Sequence, residues 1–278
     1  MEKEKYIKQF KVDYHFRLTK KTLKGYILAV NQFLDHSNVP LAQISKRDIR
    51  NWLKYLMENG YGPSTINGKL AALKTFFKYC WEERIIQKNP AKDILSIKRN
   101  ETLPRYLEHE QLARLRRLKD VTLKERAIIE TLYATGVRIS ELMVMNKDDI
   151  NWSERSIMIR KGKGKKERIV LFNQECAHYL KTYLASRTDD LPYVFLNVAE
   201  TNRIYDKWIG TQFRSYSEKL GFKVAPHILR HTFAAHLAQK GMQLEGIQML
   251  LGHEKHHTTH SYARLYEHAR KELYDEWM

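Results

Sequence analysis

Near its C-terminal end the sequence brings His227, Arg230, His253 and Tyr262 within a short span. His227 and Arg230 are three residues apart, so on a helix they lie one turn apart on one face and can address the same anion. Tyr262 follows His253 by nine residues. Such a set suits transesterification of a phosphodiester, which makes three demands: its oxygens must be neutralised, a nucleophile must lose its proton, and the leaving alkoxide must gain one. Guanidinium is always charged and binds phosphate oxygens as a fork, so two arginines suit the first demand, and Arg230 is one. Tyr262 suits the second as nucleophile. A phenol with a pKa near 10 costs roughly 4 kcal/mol to ionise at pH 7, so it requires a base or cationic surroundings.

These residues sit in longer motifs. His227-x-x-Arg230-His231-Thr232-Phe233 and Leu251-Gly252-His253 through Thr258-Thr259-x-x-Tyr262 resemble the C-terminal signature of the tyrosine recombinases, also called the phage integrase family. The segment Ala134-Thr135-Gly136-Val137-Arg138-Ile139-Ser140-Glu141-Leu142 is similar to that family's first arginine motif. The resemblance runs from about Leu103 onward, with a looser match before it.

The resemblance implies a site-specific recombinase that cleaves DNA through a 3′-phosphotyrosyl intermediate and exchanges strands through a Holliday junction, without metal, cofactor or ATP. It gives His227 and His253 the two catalytic histidine positions, His227 helping to take the tyrosine proton and His253 bonding a non-bridging oxygen. Lys163, in the turn Gly162-Lys163-Gly164, becomes the acid for the leaving 5′ oxygen, and its neighbours Lys161, Lys165 and Lys166 are candidate DNA contacts. Glu141 becomes the acid that orients Arg138 or a histidine. The implied partners are duplex DNA with an inverted-repeat site, a homotetramer on paired sites, and a partner recombinase or accessory protein. The layout is closest to Xer-type recombinases and transposon resolvases. Two rivals use the same residues: a nicking-closing enzyme of the type IB topoisomerase kind, and a non-catalytic DNA-binding accessory protein.

The elements that must position these groups are mostly helical. The fold class is mainly α: a small N-terminal bundle, the SAM-like core-binding domain of the family, and a mostly helical catalytic domain with a small antiparallel sheet. Residues 1–95 form the bundle, residues 96–104 a linker that loses apolar periodicity, and residues 105–278 the catalytic domain. In the bundle, apolar stripes predict a helix over residues 22–36, a second capped by Ser45 and stopped by Gly60, and a third from Ser64 through Trp81 ended by Asn89-Pro90. Lys46, Arg47, Arg50, Lys69 and Lys74 lie on the outer faces as candidate DNA contacts.

Further helices are predicted over residues 108–118, 122–134, 138–145, 174–186, 201–220, 226–239 and 244–251. Alternating Ile157, Ile159 and Ile169, Leu171 around the basic turn predict a β-hairpin. Beyond Tyr262, Leu265, Ala269, Leu273 and Trp277 recur every four residues. They predict an amphipathic helix over about 264–278, whose stripe packs either on its own domain or, as the resemblance implies, on a neighbouring protomer.

Charge agrees with a polyanionic partner. The chain of 278 residues carries a formal charge of +17, and its first 100 residues hold 20 Lys and Arg against 9 Asp and Glu. Two distant cysteines, Cys80 and Cys176, read as core thiols of a reducing cytoplasm. No apolar run reaches the roughly 18 residues of a membrane span. His256 and His260 have the i, i+4 spacing of metal ligands, but no further ligand set accompanies them, so no metal is expected.

Overall fold

The computed structural model describes residues 2–98, 104–160, 167–252, 262, 263, 266, 267, 271 and 275. Lys161, Lys163, Lys165, Lys166, His253, the histidine tract and all four residues of the C-terminal apolar stripe lie outside the described residues. The chain divides into two compact units, residues 1–100 and 101–278.

The first unit is built from α1 (Glu2–Tyr14), α2 (Lys20–Ser37), α3 (Lys46–Glu58) and α4 (Pro63–Glu82). Local chemistry sets each start. Thr19 accepts from the Thr22 amide at 3.2 Å, and the Asp48 carboxylate accepts from the Ser45 amide at 2.8 Å, as N-caps require. Phe10, Phe33, Trp52, Leu73, Phe76 and Phe77 fill the core. No separate first helix follows from the sequence pattern, because lysines and glutamates dilute its stripe; Phe10 and Tyr14 nevertheless anchor α1.

The third predicted helix ends earlier than expected, at Glu82. Arg84 takes a left-handed φ of 56°, and the amides of Ile85 and Ile86 turn back to the Cys80 carbonyl at 2.8 and 3.3 Å. Cys80 continues the buried face, whereas Trp81, about 100° further round, is 51% exposed.

The second unit contains α5 (His109–Arg116), α6 (Leu123–Thr135), α7 (Ile139–Leu142), β1 (Ile150–Asn151), β2 (Ser156–Ile159), β3 (Arg168–Leu171), α8 (Gln174–Ala185), α9 (Asp206–Leu220), α10 (Pro226–Gln239) and α11 (Leu244–Leu251). The expected mainly helical architecture with a small antiparallel sheet is borne out. Two predicted helices are shorter. The helix expected over 138–145 ends at Leu142, because the chain beyond it pairs with another loop: Val194 donates to the Met145 carbonyl at 2.9 Å and Lys147 to that of Pro192 at 2.7 Å. The helix expected from 201 starts at Asp206, since Ile204 instead donates to the Phe195 carbonyl at 3.0 Å.

The α6 helix runs through the core and packs against α8 and α10. Its capping box, Thr122 with Glu125, is extended by the Tyr216 hydroxyl, which donates to Glu125 at 2.8 Å and ties in α9. Glu130 is fully buried and is matched by the Arg116 guanidinium at 2.9 Å, as an interior carboxylate requires. At the far end Gly136 closes α6 in the left-handed region, φ 59°.

The sheet order is β1-β2-β3. In β2 and β3, Ile157 faces Val170 and Ile159 faces Arg168, so Arg168 shares the inward face of the buried residues. The segment entering this unit is fastened to α10. Leu107 donates to Thr232 Oγ1 at 2.9 Å, and its carbonyl lies 3.0 Å from His236 Nε2. The His236 ring also lies 3.0 Å from the Tyr133 hydroxyl and stacks on His109. Burial, then His109, holds its pKa down at about 4, so the ring is neutral around pH 7.

Gly136 is constrained twice, by its positive φ and by Phe233, whose Cδ1 would lie 2.4 Å from an added Cβ. Gly136→Ala should therefore lower unfolding stability by about 2–4 kcal/mol, combining the left-handed strain with overpacking. Urea unfolding checks this, and a loss below about 0.5 kcal/mol would show that Phe233 yields freely.

Candidate active site

Arg138 sits where α6 has ended and α7 begins, in the N-cap position of α7. Its backbone amide donates to Glu141 Oε2 at 2.8 Å, its Nη1 to Oε1 at 2.8 Å, and its Nη2 to the Gly252 carbonyl at 3.2 Å. Glu141, 2% exposed, is gripped from its other side by Arg168, whose Nη1 and Nη2 reach the two carboxylate oxygens at 2.9 and 2.8 Å. Burial alone would raise the Glu141 pKa. The Arg168 hydrogen bonds, the Arg138 amide and both positive charges outweigh it and hold the carboxyl down at about 2.

Arg230 enters from α10 and is 6% exposed. Its Nη1 donates to the Gly136 carbonyl, and its Nη2 to that of Leu251 at 2.7 Å. Burial, then the neighbouring Arg138, lowers its pKa below the ordinary arginine value. Arg168 Nε donates to the Leu250 carbonyl at 3.3 Å. Three arginines from β3, α10 and the α6–α7 joint thus bind three successive carbonyls, those of 250, 251 and 252. These are the carbonyls that a helix end leaves without intrahelical partners, where the helix dipole is negative. A guanidinium carries five N–H donors. Among the described residues these bonds use two on Arg138 and two on Arg230, so both keep donors for an oxyanion.

Tyr262 is 1% exposed and packs with Ala234, Ala235 and Ala238 of α10 and with Ile247 and Leu251 of α11. Its hydroxyl is in hydrogen-bond contact with His231 Nδ1. Burial pushes the phenol pKa up, partly offset by the Arg230 charge. His227, in the first turn of α10, is exposed. The structure therefore bonds Arg138 to Glu141, brings Arg138 and Arg230 to adjacent carbonyls at the end of α11, and seats Tyr262 against the residue after Arg230, while His227 lies open at the helix start. Lys163 and His253 lie outside the described residues.

From spacing alone Arg168 and His231 receive no role. Arg168 lies on a four-residue strand, where a single inward arginine does not break an apolar alternation; its signal is register, since it shares the parity of Val170. His231 was visible inside the motif, but which neighbour of Arg230 meets the phenol depends on how the tail returns. In the first unit, Arg47 and Arg50 are exposed, whereas Lys69 is half-buried, with Nζ 5.9 Å from the centre of the Trp52 ring and 5.4 Å from that of Tyr61. Among the described residues no helix is long and apolar enough to cross a membrane.

The family model for the phage integrase family matches residues 105–268, and that for its N-terminal SAM-like domain matches residues 7–87. The chain is 35% identical to the tyrosine recombinase XerA of Pyrococcus furiosus, over 89% of this chain and 84% of that protein. A crystal structure of XerA recombinase covers 99% of this chain and 98% of its own, with 30% identity and a TM-score of 0.56. The Tn1549 transposon integrase in complex with transposon right end DNA has the same fold, with a TM-score of 0.77 at 22% identity and 98% coverage of both chains. The chain belongs to the phage integrase family and is a tyrosine recombinase.

The depressed Glu141 pKa has a definite sign. A carboxyl lowered from 4.5 to about 2 contributes stability that is present above about pH 4.5 and lost as pH falls towards 2, worth roughly 3 kcal/mol in all. Glu141→Gln lacks that contribution at every pH. The stability gap between the two proteins in urea unfolding should therefore narrow from pH 6 to pH 3, and parallel curves would refute the ion-pair account.

Proposed function

We propose that the chain is a site-specific recombinase that cleaves and rejoins duplex DNA at an inverted-repeat site, two strands at a time, through a 3′-phosphotyrosyl intermediate and a Holliday junction. The observation that carries this reading is the pair Arg138 and Arg230, held by neighbouring carbonyls at the end of α11 beside a tyrosine that packs against that same helix. Two fixed forks with donors to spare are what the oxygens of a scissile phosphate require.

In this reading Tyr262 Oη attacks phosphorus and the bond to O5′ breaks. Arg138 and Arg230 neutralise the charge that builds on the oxygens, and Glu141 keeps Arg138 oriented. Lys163 supplies a proton to the departing 5′ oxygen and His253 bonds a non-bridging oxygen. His227, exposed one turn before Arg230, completes the face offered to the DNA. Because the phosphotyrosine bond conserves the energy of the phosphodiester, the cycle requires neither ATP nor metal.

Residues 1–95 act as a clamp on the duplex, with Lys46, Arg47, Arg50, Lys69 and Lys74 among its phosphate contacts, joined by residues 96–104 to the catalytic unit over 105–278. Lys161, Lys165 and Lys166 extend the contact around the cleavage point. Residues 264–278 dock on a neighbouring protomer, giving a homotetramer on paired sites, with a partner recombinase or accessory protein as a further component. The charge excess of the first 100 residues supports the clamp.

Covalent trapping tests the reading. Duplex DNA carrying the inverted repeats that flank the coding region, nicked near the presumed cleavage point, is incubated in EDTA with the wild type or Tyr262→Phe and then denatured. A protein–DNA adduct should form with the wild type alone. An adduct that survives in Tyr262→Phe would move the nucleophile elsewhere. Arg230→Lys and Arg138→Lys should each slow adduct formation by about 10²–10³-fold while the DNA remains bound, because a lysine cannot replace the fork. Unchanged rates in both would remove the arginines from the transition state.

A further inference from the structure

We propose that His231 is the base that takes the proton of Tyr262, and is thus a further catalytic residue of the cleavage step. This rests on the reading of Tyr262 as the nucleophile.

A phenol that is 1% exposed has no water to deprotonate it, so its proton must pass to a group already touching it. Among the described residues, the hydrogen-bond partner of the Tyr262 hydroxyl is His231 Nδ1. The contact is long-range in sequence, 31 residues apart, and is enclosed by small residues of α10 and by Ile247 and Leu251 of α11. Those α11 neighbours are apolar. Among the described residues, the titratable and charged groups that face the imidazole are His227 and Arg230 on its own helix and Tyr262 from the tail. Burial, then His227 and Arg230, keeps His231 below the ordinary histidine range. The ring is therefore neutral near pH 7, and in the tautomer this role requires, Nε2 carries the proton and the Nδ1 lone pair accepts from the phenol.

Position along α10 adds a second argument. Arg230 and His231 are adjacent on a helix, so the ligand for the phosphate and the base for its attacker are fixed to one rigid element. The Arg230 charge also favours the phenolate, as its lowering effect on the Tyr262 pKa indicates. A neutral imidazole next to a guanidinium is poorly disposed to hold a proton permanently, which suits a base that must return it. The exposed His227 has no such contact with the phenol among the described residues.

The step balances. The Tyr262 Oη proton moves to His231 Nδ1, the freed oxygen pair forms the bond to phosphorus, and the bond to O5′ breaks with its pair leaving on that oxygen. That oxygen takes a proton from a separate acid, Lys163 in the reading above. In religation the 5′ hydroxyl returns its proton to that acid as it attacks, and the departing phenolate recovers its own from His231.

The test uses the full chain and the nicked duplex, in single-turnover cleavage from pH 5 to pH 9. His231→Asn is the informative variant: it can keep a hydrogen bond to the phenol but cannot take its proton. It should cleave about 10²–10⁴-fold more slowly and lose the rise in rate on the acid side of the profile, with DNA affinity and melting temperature unchanged. His227→Asn should retain that rise. His231→Gly should recover activity with added imidazole in proportion to its neutral fraction, a readout that a folding defect would not produce. Cleavage by His231→Asn within threefold of wild type, or an acid-side rise that persists in it and vanishes in His227→Asn, would overturn the assignment. If His231 merely clamps the buried phenol, His231→Asn and His231→Gly would be as fast as wild type or faster, which also overturns it. An adduct absent from the wild type would refute the nucleophile itself, and the assignment of His231 would fall with it. A normal adduct with normal His231→Asn rates would refute only the base.

Discussion

The end of α11 is where the structure concentrates its electrostatics. Three successive backbone carbonyls, of Leu250, Leu251 and Gly252, accept from Arg168, Arg230 and Arg138. A helix terminus contributes roughly half a negative charge, and Glu141 adds a full one, so three guanidiniums face about one and a half compensating charges. That deficit is what leaves the cluster suited to a phosphodiester anion. It also makes the cluster expensive to assemble, since the guanidiniums repel one another; Arg138 is among the causes of the lowered Arg230 pKa. Each cation must therefore be held individually, and each is held from a different element of the unit. The geometry of Gly136 follows from the same constraint, because its carbonyl is the second anchor of Arg230 and only a residue without Cβ fits against Phe233 there.

Leu251 belongs to two environments at once. Its carbonyl receives Arg230, and its side chain packs in the small cluster that encloses Tyr262. The guanidinium forks of Arg138 and Arg230 and the phenol thus share one helix end, so a displacement of α11 is felt by both. The left-handed turn at Gly252, φ 63°, closes that helix and leads towards His253. A Cβ at Gly252 would come within 2.8 Å of Arg168 Cδ, so this turn and the strand carrying Arg168 are packed to contact. Strand, helix end and arginine motif therefore behave as one assembly rather than as separate contributors to a site.

Much of this was readable from residue order, and the exceptions have physical causes. The spans of α10 and α11 follow directly from their apolar spacing, with Pro226 and Gly252 at their ends. The arginine motif is legible because Gly136 and Glu141 flank Arg138 at fixed offsets. What periodicity misses is set by tertiary hydrogen bonding. The chain after Leu142 is drawn into pairing with residues 192–194, and the chain before Asp206 into pairing with residues 195–197. Both would otherwise pass as helix. Charge counting misleads in a related way: Lys69 counts as a surface cation, yet its half-buried ammonium sits near two aromatic rings, and burial lowers its pKa. The partners of Arg168 and His231 depend on chain segments 27 and 31 residues away, beyond the reach of any local pattern.

Arginine on both sides of Glu141 is a costly choice that stability alone does not explain. A buried ion cluster recovers little more than its desolvation cost, and apolar replacements of similar size are often as stable. What the cluster supplies is orientation. Arg168 meets both oxygens of Glu141 in the bidentate geometry that a lysine cannot adopt, which fixes the carboxylate plane. The fixed carboxylate then holds Arg138 through its backbone amide and its side chain together, leaving that guanidinium little rotamer freedom. Donors aimed before the substrate arrives need no reorganisation during the reaction, and the advantage of such a site over water lies in that saving. The arginine on β3 thus acts on Arg138 through Glu141, from a side chain that is itself only 13% exposed.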